Sequence, residues 1–312
     1  MDVDAIVTGV LAREPRAIAR AISLVEDGDD GLPALSAGVF PQTGSAATVG
    51  LTGAPGVGKS TIATALVRTA RANDRRVAVL AIDPTSPYTG GALLGDRVRM
   101  QEHATDPDVF IRSMATRGHL GGMALAAPEA VRILDAAGFD LVIVETVGVG
   151  QAEIDVAAAT DTTLVVLAPG LGDAIQMAKA GILEVADVFV VNKADRDGAA
   201  DVQRELRQML HLGAARPWDA PVLATTASDG AGIDELWADI ERHRAWLVST
   251  GALAVDREAA VVHEVRALAA ERLASSVEAQ LADDAELRAR LRDHQLDPYA
   301  AVDELIRRLS PG

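Results

Sequence analysis

The residues Gly53 to Thr61, GAPGVGKST, match the pattern G-x-x-x-x-G-K-[ST] of a phosphate-binding loop. An apolar run precedes this segment and a helical pattern follows it, which is the context that such a loop requires. Glycines let backbone N–H groups turn toward phosphate oxygens, and the start of the helix adds its dipole. We predict that Lys59 reaches the β- and γ-phosphates and that Ser60 places its hydroxyl on Mg²⁺. The predicted phosphate contacts are Gly53, Ala54, Pro55, Gly56, Val57, Gly58, Lys59, Ser60 and Thr61.

The segment NKAD, at the end of another apolar run, predicts which base is bound. The Asp195 carboxylate can accept two hydrogen bonds from the N1–H and 2-amino groups of guanine, whereas adenine offers neither donor. Lys193 would lay its methylene stem along the base plane, and Asn192 would tie loops together. The backbone of TTASDGAGI would supply N–H donors to the guanine O6. These donors are predicted around Thr226, Ala227 and Ser228.

Acidic residues end two of the apolar runs. At the carboxyl end of a strand they would face the ligand crevice of an open α/β sheet. Glu145 ends LVIVE, stands where Asp is commoner, and would hold a water on Mg²⁺ or orient the attacking water. Gly148 would bring its N–H to the γ-phosphate. Asp83 ends a second run, and Asp96 lies beyond a Gly-Gly hinge in a segment that could close over the nucleotide. The predicted metal ligands are Ser60, Asp83, Asp96 and Glu145, and the predicted catalytic residues are Asp96, Glu145 and Lys59.

Lysine is rare in this chain, which has 29 basic residues of which only Lys59, Lys179 and Lys193 are lysines. Arg is a rigid planar fork and Lys is a slim stem with a compact charge, so a site that keeps Lys has a physical reason to do so. Lys179 is therefore a functional candidate, together with Asp173 in the same segment. Arg97, Arg99 and His119 have side chains that could support catalysis, but the pattern assigns them no role.

The elements that must position these residues form an alternation of short apolar runs with helical patterns. Solidly apolar runs are typical of strands that are buried on both faces of a parallel sheet. Seven such runs separated by helices predict an α/β fold with an open, doubly wound, mainly parallel sheet. The runs are 48–53, 77–83, 109–112, 141–145, 163–168, 188–192 and 221–225.

Segments on either side of this region differ from it. Residues 2–27 have the pattern of an amphipathic helix, and Gly28 to Ala46 is rich in Gly, Ser, Pro and Asp, which is typical of a connector. From about Thr250 the pattern is helical only, and Asp297-Pro298 predicts the start of a last helix. We predict an N-terminal helical extension and connector (1–46), a nucleotide-binding domain (47–248) and a C-terminal helical arm (249–312).

The net charge of −16 argues against a nucleic-acid binder and against a protein of anionic membrane surfaces. The chain has no cysteine, so disulfides and thiolate metal sites are excluded. Its N-terminus is acidic where a leader would be basic, and no stretch has the apolar length of a membrane span. These features favour a cytoplasmic protein.

Taken together, the motifs resemble those of the MeaB/ArgK family of P-loop GTPases along nearly the whole chain. The resemblance rests on GAPGVGKST, DPTSPYTGGALLGDRVRM, ETVGVGQ, the PGLGD stretch leading to Lys179, NKAD and DPYAAVDEL. It implies a slow GTPase that acts as a chaperone for an adenosylcobalamin-dependent acyl-CoA mutase, usually methylmalonyl-CoA mutase. It further implies a homodimer formed through the C-terminal arm, bound GTP or GDP with Mg²⁺, and a third switch at 168–179. Thr226-Ala227, where such loops commonly have Ser-Ala, and Arg117 and Met114 depart from the family pattern.

Three other functions are compatible with a phosphate loop. A small-molecule kinase or transport-associated ATPase would need the loop but would give Asp195 no purpose. A metal-insertion GTPase is disfavoured because the chain lacks cysteine and its histidines show no ligand spacing. A nucleotide-binding scaffold without turnover would not need three acids beside the phosphates.

Overall fold

The computed structural model describes residues 2–84, 103, 105–116, 122–146, 156–170, 182–213 and 216–309. Seven parallel strands form one sheet in the order β3-β2-β4-β1-β5-β6-β7. This confirms the predicted α/β fold. The strands are β1 (Ala47–Thr52), β2 (Val77–Pro84), β3 (Val109–Thr116), β4 (Leu141–Thr146), β5 (Thr162–Leu167), β6 (Val188–Asn192) and β7 (Val222–Thr225).

Helices cover both faces of the sheet. The helices of the described residues are α1 (Val3–Leu11), α2 (Pro15–Asp27), α3 (Leu32–Val39), α4 (Lys59–Ala72), α5 (Gly122–Ala136), α6 (Ile182–Val185), α7 (Ala199–Leu212), α8 (Ile233–Thr250), α9 (Ala252–Asp283), α10 (Ala285–Arg292) and α11 (Pro298–Leu309). One core joins the sheet to α1, α2, α3 and α5. A second core joins the opposite face to α4 and α8, and a third joins β5, β6 and β7 to α7. No helix among the described residues is long and apolar enough to cross a membrane.

The N-terminal region differs from its prediction in two places. Instead of one helix over 2–27 there are two, because Pro15 begins α2 and disfavours helical backbone in the residue before it. Arg13, with φ of 66°, makes the turn between them. The segment predicted to be a connector, 28–46, contains α3, so that interpretation was wrong over Leu32–Val39. There Leu35 and Val39, four residues apart, are fully buried, and this burial outweighs the loop-like composition.

An ion pair fixes the N-terminal helices to the edge of the sheet. The Arg112 guanidinium on β3 donates to the Glu26 carboxylate at 2.6 Å and to the Ser23 hydroxyl at 2.9 Å, both on α2. The Glu26 side chain is only 8% exposed. The pair therefore joins the N-terminal extension to β3, whose carboxyl end lies on the same side of the sheet as the phosphate loop.

The chain forms two compact units, residues 1–260 and 261–312. In the second unit, Leu287, Ala301 and Leu305 form a small core. Asp297 accepts hydrogen bonds from the amides of Tyr299 and Ala300 and so caps α11, which confirms the predicted last helix. The domain bounds 1–46, 47–248 and 249–312 stay a prediction.

Candidate nucleotide-binding site

The loop between β1 and α4 has a backbone that only glycine can adopt at two positions. Gly53 has a φ of 137°, and a Cβ there would lie 2.1 Å from the Val166 carbonyl oxygen. Gly58 has a φ of 101°, and a Cβ there would lie 2.3 Å from the Asn192 side-chain nitrogen. The loop therefore packs against β5 and the end of β6, and it leads into the N-terminus of α4 at Lys59. The N–H groups and the dipole at such a helix start suit an anion.

Lys59 is held inside this loop. Its ammonium donates to the Gly53 carbonyl at 2.6 Å and to the Ala54 carbonyl at 3.1 Å, and the residue is buried. The charge is thus already centred among the backbone groups that the sequence assigns to phosphate binding. Pro55 and Gly56 are exposed at the loop tip, Val57 is buried in the core below, and Thr61 is half-buried on α4.

Ser60 and Glu145 meet across the sheet. The Ser60 hydroxyl donates to a Glu145 carboxylate oxygen at 2.6 Å, and both residues are buried. Glu145 lies next to Leu51 of β1 in the strand register, so its side chain projects on the α4 side of the sheet. Two of the four predicted metal ligands are therefore in contact, and both offer oxygen atoms, the ligands that Mg²⁺ prefers.

The structure describes less of the other predicted residues around the phosphates. The backbone of Asp83 lies in the last part of β2, two residues beyond Ala81, which pairs with Glu145. The Asp83 side chain is outside the described part of the molecule. Asp96, Gly148, Asp173 and Lys179 lie outside the described residues altogether.

Asn192 links three segments of the site from the end of β6. Its amide donates to the Val57 carbonyl of the phosphate loop at 2.8 Å. Its side-chain oxygen accepts hydrogen bonds from the Thr225 hydroxyl and from the Ala227 amide, each at 3.1 Å. The residue is only 3% exposed, so these bonds are shielded from water. Asn192 thereby fixes the predicted base-binding loops relative to the phosphate loop.

Lys193 and Asp195 occupy the turn that follows. Lys193 has a φ of 57°, and its ammonium donates to the Gly56 carbonyl at 2.6 Å. Its stem consequently spans the space between the two loops. Asp195 is exposed, so its carboxylate is accessible to a ligand.

The loop after β7 is closed by backbone pairing. The Thr226 amide donates to the Ala231 carbonyl at 2.9 Å, Ala227 is buried, and Ser228 is exposed. A Cβ on Gly232 would lie 2.2 Å from the Ala224 carbonyl oxygen, so this loop also depends on a glycine. The sequence assigned no role to Thr225 or to Gly232. A threonine at a strand end carries no signal of its own, because its hydroxyl partner is 33 residues away.

Comparison with known proteins decides the family. The sequence model of the family described as methylmalonyl-CoA mutase-associated GTPase MeaB matches residues 18–282. The chain belongs to this MeaB family. It is therefore a P-loop GTPase, and the resemblance inferred from the motifs is confirmed.

Relatives of this MeaB-family chain extend over most of its length. A Pyrococcus horikoshii protein named as a GTPase is 44% identical over 311 residues, which cover 98% of each chain. The mouse protein named methylmalonic aciduria type A homolog, mitochondrial, is 38% identical over 215 residues, covering 67% of this chain and 52% of its own. A solved structure described as a LAO/AO transport system kinase has a TM-score of 0.73 at 27% identity and covers 98% of this chain and 97% of its own.

Proposed function

We propose that this MeaB-family GTPase hydrolyses GTP to GDP and phosphate with Mg²⁺, and that it serves as a chaperone of an adenosylcobalamin-dependent acyl-CoA mutase. The observation that carries the nucleotide part is the Asn192 side chain, which bonds to both the phosphate loop and the loop after β7. These bonds support the proposal because they hold the loop proposed to bind phosphate and the loop proposed to bind the base together at the carboxyl-end edge of the sheet. Ligands of open α/β sheets bind at that edge.

Guanine selection is assigned to Asp195, with Lys193 beside the base plane. The Lys193 stem passes from the NKAD turn to the Gly56 carbonyl, which supports a position along the base. Adenine would leave the Asp195 carboxylate without its two donors, and losses of this kind support large discrimination between ligands. The backbone of Thr226, Ala227 and Ser228 is proposed to bind the guanine O6.

The residues that the structure brings together, Ser60 and Glu145, suit a magnesium site. Ser60 and Glu145 would hold Mg²⁺, with Asp83 and Asp96 completing the set of oxygen ligands. The ion, when bound, would neutralise charge on the β- and γ-phosphates. The protein residues would have other tasks: Lys59 would bind phosphate oxygens, the Gly148 amide would bind the γ-phosphate, and Glu145 with Asp96 would orient water.

The partner is proposed to be methylmalonyl-CoA mutase. The description of the matched family and the name of the mouse relative support a link to this enzyme. The chain would gate adenosylcobalamin loading and protect the mutase from inactivation, with Asp173 and Lys179 sensing the partner in the third switch. A cytoplasmic location is part of the same proposal.

The C-terminal arm is proposed to form a homodimer. On α9, large apolar side chains are exposed to solvent, although water-facing helices usually carry polar residues there. These residues are Val255, Val261, Val262, Val265, Leu268 and Leu273. A second copy of the chain would cover them.

The test compares phosphate release from GTP and from ATP, each with and without a purified B12-dependent acyl-CoA mutase. We expect guanine-selective turnover that the mutase accelerates. Equal turnover of ATP would contradict the guanine assignment, and GTP turnover that the mutase leaves unchanged would contradict the chaperone role. Lys179→Arg should impair the acceleration, whereas Arg204→Lys, on the exposed surface of α7, should leave it intact.

A second function is favoured by the likeness to the solved structure described as a transport system kinase. A kinase would pass the γ-phosphoryl group to a small acceptor instead of water. Following the labelled γ-phosphate distinguishes the two: free inorganic phosphate supports hydrolysis, and a labelled organic product supports the kinase.

A further inference from the structure

The tripeptide 44–46, which enters β1, is held entirely by charged side chains. Its three amides donate to the Asp135 carboxylate of α5 at 2.5, 3.2 and 2.9 Å. Two of its carbonyls accept from Arg257 at 2.6 and 2.8 Å, and the middle one accepts from Arg244 at 3.4 Å. Every backbone N–H and carbonyl group of this tripeptide, which leads into β1, is therefore hydrogen-bonded to a charged side chain.

Arg257 also forms an ion pair with the residue that precedes β5. Its guanidinium donates to both oxygens of Asp161, each at 2.8 Å, in the two-pronged geometry that makes such pairs strong. Asp161 immediately precedes β5 and is bonded to β1, because its carboxylate accepts from the Thr48 amide at 3.0 Å and its own amide donates to the Thr48 hydroxyl at 2.7 Å. One side chain thus joins the amino ends of two strands.

These two strands are neighbours and lead to the nucleotide site. Val49 of β1 pairs with Thr162 of β5, and both strands are buried along their whole length. β1 continues into Gly53 of the phosphate loop, and β5 continues toward the 168–179 segment proposed to sense the partner. Packed interiors are dense and transmit displacement. A shift of Arg257 would therefore displace the starts of both strands.

Arg257 itself lies in an early turn of α9, a helix that runs from Ala252 to Asp283. The same helix exposes Val262 and Val265, which are 43% and 59% exposed. In switching proteins, helices at subunit interfaces shift by about 1–2 Å. Through Arg257, a surface that binds the exposed side chains of α9 is consequently connected to β1 and β5.

We propose that Arg257 is a positioning residue that couples nucleotide occupancy to the helix α9 through the entries of β1 and β5. The inference rests on the proposed guanine-nucleotide site. Coupling between two sites is reciprocal, so nucleotide binding would change the affinity of α9 for a bound partner by the same factor by which that partner changes nucleotide affinity.

The experiment is hydrogen exchange of the full-length protein, with and without GDP and Mg²⁺, reading peptides from 261–283. In the wild type we expect GDP to slow exchange there at least threefold. Arg257→Ala should abolish this response while its GDP affinity stays within threefold of the wild type. A residue that only anchors α9 would lower the unfolding temperature and leave the GDP response in place.

Matched variants keep the result decisive. Asp161→Asn and Arg257→Lys retain most of the local polarity but lose the bidentate pair. Both should weaken the response in the same way, and they replace Arg257→Ala in the test if that variant fails to fold. Arg112→Ala breaks an ion pair at another edge of the sheet and should keep the full response. Retention of the response in the Arg257 and Asp161 variants, or its absence in a wild type that binds GDP, would overturn the inference. A wild type that binds no guanine nucleotide would instead overturn the proposed function on which it rests.

Discussion

Ser60 and Glu145 are joined by a buried hydrogen bond of 2.6 Å although 85 residues separate them in the chain. The bond exists because β4 lies beside β1 in the sheet, so the end of one strand comes next to the helix that follows the other. A hydroxyl and a carboxylate so placed offer oxygen atoms, which Mg²⁺ prefers, at the start of a helix, a position that also suits phosphate groups.

Glu145→Gln is expected to lower GTP turnover on the order of a hundredfold. The amide keeps an oxygen that can accept from Ser60 but removes the negative charge proposed for the metal site. The measurement is phosphate release under single-turnover conditions, together with GDP affinity without Mg²⁺, which should change little. Glu184→Gln, on the exposed surface of α6, is the control and should turn over at the wild-type rate. Wild-type turnover by Glu145→Gln would remove Glu145 from the proposed catalytic set.

Asp195→Asn is expected to weaken GTP binding at least a hundredfold and to improve binding of xanthosine triphosphate. The carboxylate is proposed to accept from the N1–H and 2-amino groups of guanine, whereas an amide can donate to the second carbonyl of xanthine. Competition of both nucleotides against a fluorescent GDP measures the change. Asp197→Asn, two residues further along the same exposed turn, is the control. An unchanged preference in Asp195→Asn would favour the kinase alternative.

Asn192→Ala is expected to lower the free energy of unfolding by about 2–4 kcal/mol and to weaken GDP binding about tenfold or more. The substitution removes three buried hydrogen bonds and leaves the Val57 carbonyl and the Ala227 amide without their partner. Urea unfolding and GDP titration measure the two effects. The control is Asn73→Ala, which removes the only other asparagine; Asn73 is exposed and donates to the Thr69 carbonyl. For this variant, the changes in the free energy of unfolding and in the free energy of GDP binding should each be at most a few tenths of those expected for Asn192→Ala. Equal effects of the two substitutions would contradict the linking role of Asn192.

The buried His243 and the half-buried Asp187, near the amino end of β6, set a pH dependence of stability. Burial raises the pKa of Asp187 to about 6, and burial lowers the pKa of His243 to about 4. The folded chain keeps the Asp187 proton where the unfolded chain has released it, so this contribution to stability falls as pH rises from about 4 to about 6. The folded chain keeps His243 neutral, so that contribution rises over about pH 4 to 6.5. The two slopes oppose each other.

Asp187→Asn is expected to remove the falling contribution, so the free energy of unfolding should rise more steeply with pH than in the wild type. Relative to the wild type, the variant should gain on the order of 2 kcal/mol between pH 4 and pH 6.5. The asparagine oxygen can still accept from the Thr163 amide, which limits other losses. Urea unfolding at several pH values measures the slope, and a slope equal to that of the wild type would contradict the assignment.

The family and most of the fold could be predicted from local patterns. The phosphate loop is a contiguous motif whose flanking strand and helix depend on nearby residues, and the seven apolar runs correspond to the seven strands. Two predictions for the N-terminal region failed: the break in 2–27 follows from Pro15, a local signal, whereas α3 depends on tertiary burial. Leu35 and Val39 are four residues apart and Pro33 lies in the first turn of α3, which suits a helix, but the Gly, Ser, Pro and Asp content around them is typical of a loop. The core that covers both side chains decides between the two.

The sequence by itself determined the chemistry that is available: Lys59 in a glycine-rich loop, an acid near the end of β4, and NKAD beginning at the last residue of β6. Only the tertiary structure decided which of these groups touch. Strand order places Glu145 against Ser60, sets Asn192 between two loops, and brings Arg257 to the entries of β1 and β5. The physical reason is that residue type and spacing govern local backbone geometry, whereas contacts across a sheet depend on how buried strands pack side by side.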